Sequence, residues 1–78
     1  MRSHGGFIMS YNSDRIGEYL ANSESLHTYV QKSLRRKGLR ATAIDLFNML
    51  SPGPPRELRD ARVNVTLSAV REGIKDYF

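Results

Sequence analysis

Not one cysteine occurs among the 78 residues, and in a chain this short that absence decides how the fold can be held together. A domain of this size buries only about 60% of the surface its unfolded form exposes. Small domains with so thin a core usually carry disulfides or a thiolate-bound metal, and neither can form here. Cohesion must come from packed helices or from a second copy of the chain, and a homodimer is expected on that ground. The length allows one domain. No window approaches 18 apolar residues, so no membrane-spanning helix is expected, and the chain reads as a cytoplasmic protein.

Hydrophobic spacing then selects helices. Met1 to Asn12 has Gly5-Gly6 and only a three-residue apolar run, Phe7 to Met9, and reads as a flexible tail before a single helical domain over 13–78. Ser13 is placed to cap a short helix with Ile16, Tyr19 and Leu20 on one face. After Asn22, Ser23 or Ser25 can cap a helix running to Lys37, with Leu26, Tyr29, Val30 and Leu34 as its apolar stripe. Gly38 supplies the left-handed residue that ends it. Thr42 is expected to cap a third helix to Leu50, apolar around most of its circumference and therefore buried on most sides.

Ser51-Pro52-Gly53-Pro54-Pro55 breaks the chain, and Pro55 can open the next helix. Val63-Asn64-Val65-Thr66 is a run of poor helix formers. The C-terminal part is therefore divided into a helix from Pro55 to about Arg62, a turn on Asn64, and a helix from Thr66 to Tyr77, with Thr66 as cap. A short strand through Val63, Val65 and Leu67 is the other reading of that alternation. The expected fold is all-α, a compact bundle of four to five short helices with a helix-turn-helix-like hairpin near the C-terminus.

Charge points to a partner. Twelve bases oppose eight acids, a net +4. Between Ser25 and Ile44 lie five bases (Lys32, Arg35, Arg36, Lys37 and Arg40) and no acid, while the remaining seven bases face eight acids. The whole positive excess therefore sits in one stretch, which raises the local potential and suits phosphate or another polyanion. The plainer alternative is a solvated helix end whose bases complement the helix dipole.

Catalytic motifs are missing. The two histidines, His4 and His27, stand at no ligand spacing, and there is no nucleophile elbow, P-loop or G-x-G-x-x-G. No enzyme activity, metal or cofactor is expected.

Two hairpins could read a groove. One pivots on Gly38, but its second helix offers only Thr42, Asp45 and Asn48 outward, and Asp45 would repel phosphate. The other pivots on Asn64 and points Ser68, Arg71, Glu72 and Lys75 outward, with Val70, Ile74 and Tyr77 inward. Arg71 can donate a bidentate pair to guanine, and Ser68 and Lys75 can reach bases or phosphates. A hydrophobic helix followed by such a hairpin resembles the tri-helical core of winged-helix regulators, the chain ending at Phe78 where a wing would begin.

Two functions follow as expectations. The first is a small DNA-binding regulator of transcription or replication, with duplex DNA as partner. The second is a helical adaptor or inhibitor that binds an acidic protein surface through Leu46, Met49, Leu50, Tyr77 and Phe78. The salt-bridged face of Arg56, Glu57, Arg59, Asp60 and Arg62, with an Arg56–Asp60 pair, is expected to be solvated.

Overall fold

The computed structural model describes residues 8–78. Four α-helices follow one another: α1 (Ile8–Asn22), α2 (Glu24–Leu50), α3 (Arg56–Asp60) and α4 (Leu67–Tyr77). No strand occurs among the described residues. Val63 and Val65 instead pack against the helical core from the connection between α3 and α4.

The central contact joins α1 to α4, and glycine makes it possible. A Cβ on Gly73 would lie 2.6 Å from the Ser13 carbonyl oxygen and 2.9 Å from the Gly17 amide nitrogen. A Cβ on Gly17 would lie 2.7 Å from the Gly73 carbonyl oxygen and would run into the Tyr77 ring. The two backbones touch where neither helix has a side chain. Around that crossing Ile16, Leu20, Val70 and Ile74 are fully buried, and Val30, Leu46 and Leu58 complete the core from α2 and α3. Burying each such aliphatic side chain contributes about 1.5–3 kcal/mol. A radius of gyration of 11.7 Å matches the roughly 11.5 Å expected of a lone domain of this length, so one chain encloses its own core.

α1 starts five residues before the expected cap. Ser13 is a buried position inside it rather than its N-cap. Residues 8–12, expected as tail, are helical and tied down: the Tyr11 hydroxyl donates to the Ala61 carbonyl at 2.7 Å, and the Asn64 amide donates to Asn12 Oδ1 at 3.1 Å. The rest of the expected tail, residues 1–7, lies outside the described residues.

Gly38 divides α2 sharply. Its φ of 86° and ψ of 174° interrupt two helical stretches, 24–37 and 39–50, in a region that essentially only glycine occupies. The expected positive φ is there, but the second stretch begins at Leu39, so Thr42 is not its cap. Thr42 is fully buried, and its hydroxyl shares a 2.7 Å hydrogen bond with the Ser33 hydroxyl across the bend. Two buried hydroxyls satisfy each other, which removes the cost of burying either alone. Ser23 occupies the N-cap position of α2 without a side-chain cap bond.

α3 opens directly after Pro55, whose carbonyl accepts from the Leu58 and Arg59 amides at 3.0 Å each. It ends in a Schellman turn: the Val63 amide donates to the Leu58 carbonyl and the Arg62 amide to the Arg59 carbonyl, both at 3.0 Å. The left-handed residue there is Arg62, at φ 59°, rather than Asn64. An L side chain in that region costs roughly 1 kcal/mol. Arg62→Gly is therefore expected to raise stability by about 0.5–1 kcal/mol in urea denaturation, since glycine fits the turn without that cost.

Thr66 caps α4 as its sequence position predicts, its hydroxyl accepting from the Ala69 amide at 3.1 Å. Thr66→Ala should cost about 1 kcal/mol, read as a lower urea midpoint at constant slope.

Candidate nucleic-acid interface

The first stretch of α2 sorts its residues by side. Val30 and Ser33 are buried, and Leu26, His27 and Leu34 are half-buried beside them. Successive residues turn about 100° around a helix, so Lys32, Arg35 and Arg36 emerge on the opposite, solvent side, and all three are exposed. Arg40 is exposed in the first turn past the bend. None of these four cations has an ion-pair partner among the described residues.

Lys37 is different. Its ammonium pairs with the Asp45 carboxylate across the bend, and the Tyr29 hydroxyl donates to the same oxygen at 3.3 Å. The hydrogen bond from Lys37, with its positive charge and the Tyr29 bond, holds the Asp45 carboxyl below the ordinary aspartate value. The bend thus engages Asp45, the one acid of α2 beyond Glu24, and leaves the other four cations uncompensated. No signal in the one-dimensional pattern marks this pair, because residues 37 and 45 meet only once α2 is bent at Gly38.

On α4, Ser68, Arg71 and Lys75 are all exposed on one side, opposite the buried Val70, Gly73 and Ile74. That side is weaker electrostatically: Arg71 lies 3.7 Å from the Glu72 carboxylate, and Asp76 follows Lys75. No hydrogen bond or ion pair connects these residues to the α2 cations among the described residues. The expected Arg56–Asp60 ion pair does not form.

The apolar residues expected at a partner interface divide. Leu46 is 0% and Leu50 6% exposed; both belong to the core, because the stretch 39–50 faces the bundle on one side. Phe78 is half-buried, its ring 5.0 Å from that of His27, so it and His27 close the end of α4 against α2. Tyr77 keeps a partly exposed ring but lies over Gly17. Loss of water there, with the Asp14, Glu18 and Asp76 carboxylates nearby, pushes its phenol above the ordinary value. Met49, 52% exposed, is free, and Ile44 joins it at 40%. The stretch is amphipathic rather than buried all round.

A shallow groove of about 350 Å³ runs between α1 and α3, floored by Leu58 and Ala61. Its Arg15 is already paired with Glu18 at 3.3 Å, and Glu57 stands on the rim, so it does not suit an anion. Among the described residues no cluster of three His or carboxylate side chains could hold a metal, and no helix is long and apolar enough to cross a membrane. No family model, curated protein or solved structure matches this chain.

Proposed function

We propose that this protein binds duplex DNA through the exposed side of α2 and acts as a small regulator of transcription or replication. The observation that carries this reading is the set of Lys32, Arg35, Arg36 and Arg40, exposed and unpaired on a stretch without an acid. Cations so placed release counterions from a phosphate backbone. The α3–α4 hairpin adds a weaker contact in this reading. It is helix-turn-helix-like in order, with a five-residue first helix, and it offers Ser68, Arg71 and Lys75 to a groove or to phosphates.

Fluorescence anisotropy with a labelled mixed-sequence duplex tests the reading. Log affinity should fall against log salt with a slope of about −3.6 for four phosphates engaged. Absence of binding at low salt sinks it.

A second reading, an adaptor or inhibitor for an acidic protein surface, is favoured by exposed Ile44 and Met49 on the stretch 39–50. Such a partner would bind with a shallower salt dependence and would lose affinity on Met49→Asp, which leaves duplex binding unchanged.

A further inference from the structure

We propose that α2 is a hinge that opens at Gly38 into one straight helix, and that the opened chain pairs with a second copy by exchanging its N-terminal half for its C-terminal half. The bend is confined to one residue. Gly38 alone departs from helical φ/ψ inside Glu24–Leu50, and a Cβ there would meet nothing within 4 Å. No loop separates the two stretches, so rotating this single residue into the helical region makes α2 continuous over 27 residues. A short connection between two exchangeable halves is the arrangement from which domain swapping arises.

The pattern of burial says why a straightened chain needs a partner. On a continuous helix the buried Val30 and Ser33 would point roughly 150° away from the buried Leu46 and Leu50. One straight α2 therefore cannot seat both faces in a single core. It can seat them in two cores, one on each side, each completed by the other copy. Tertiary contacts that hold the bundle together run from the N-terminal half to the C-terminal half. Gly17 meets Gly73, Ser33 meets Thr42, Lys37 meets Asp45 and His27 meets Phe78. In the exchanged form each of these is made between copies instead of within one. The exchange reuses these contacts and changes the backbone at Gly38, which makes a second copy of this chain the occupant that fits.

Substitution at the hinge separates the two forms by opposite effects. Alanine disfavours the bent conformation and favours the helical one, so Gly38→Ala should tighten dimerisation by roughly a thousandfold. D-alanine at position 38, introduced by chemical synthesis, has the mirror preference, accepts φ 86° without strain and should hold the chain monomeric. Sedimentation equilibrium across a concentration series reads both. A Gly38→Ala chain that stays monomeric at millimolar concentration overturns the proposal, as does one that is unfolded where the D-alanine chain is folded.

A second measurement keeps the native hinge. The chain has no cysteine, so the Ser33→Cys, Thr42→Cys double variant reports a single bridge. Oxidised dilute, it should close within one chain. After warming and cooling at millimolar concentration before oxidation, it should give covalent dimers on a denaturing gel. Bridges that remain within single chains after that treatment refute the exchange.

Discussion

Gly73→Ala is expected to lower the melting temperature by about 15 °C, the reverse of what helix propensity alone predicts. On an isolated helix the change would stabilise by roughly 1 kcal/mol. Here the new methyl would stand 2.6 Å from the Ser13 carbonyl oxygen and 2.9 Å from the Gly17 nitrogen. Both are backbone atoms of α1, and neither can rotate aside as a side-chain tip would. The helices must separate along the line that seats Ile16, Leu20, Val70 and Ile74. Overpacking a tight contact costs typically 1–3 kcal/mol and sometimes more, and about 3 kcal/mol is expected at a contact closed on two sides. For a domain of this size each kcal/mol shifts the midpoint by roughly 4–8 °C. A chain of 78 residues holds a total stability of about 4–12 kcal/mol, so the loss is a large share of it. Gly17→Ala should act in the same direction. Gly53→Ala, where a Cβ meets nothing within 4 Å, should leave the midpoint within about 2 °C. Thermal denaturation followed by circular dichroism measures all three, and an unchanged or raised midpoint for Gly73→Ala removes the glycine crossing as the organising contact.

The second large effect concerns binding. Changing Lys32, Arg35, Arg36 and Arg40 together to glutamate should reduce duplex affinity by on the order of a thousandfold at low salt, because the variant repels the phosphates it would otherwise neutralise. All four side chains are exposed, so helicity and melting should change little, and circular dichroism verifies that. A pair of single variants sharpens the test. Arg36→Gln should reduce the salt slope by about 1. Lys37→Gln should leave the slope unchanged, since Lys37 is already paired with Asp45. Equal effects from the two would show that the charge of the segment, and not its unpaired exposed side, governs binding. A quadruple variant that binds as tightly as the parent ends the DNA reading.

Much of the local structure was legible from residue types because its cause is local. Thr66 caps α4 through a bond to an amide three residues on, the proline-glycine run ends α2, and Gly38 takes a positive φ. Val70 and Ile74 face inward from spacing alone. The misplaced features share a different cause. Ser13 and Thr42 look like caps, yet both are buried, and Thr42 bonds to a hydroxyl nine residues away. Asn64 looks like the left-handed residue of the turn, but the Schellman bonds place Arg62 there. Leu46 and Leu50 look as available to a partner as Met49, and only the side that α2 turns to the bundle separates them.

The order of helices, their breaks and the position of the basic stretch were therefore determined by the sequence itself, since each follows from intrinsic dihedral preference, short-range hydrogen bonding or a count of charges. Which of those charges stay unpaired, and which glycines carry the fold, only the tertiary structure decided. Lys37 and Asp45 meet across a bend, and Gly17 and Gly73 meet across two helices 56 residues apart in the chain. Contacts of that kind depend on how rigid helices cross, and no periodicity within either helix specifies a crossing point.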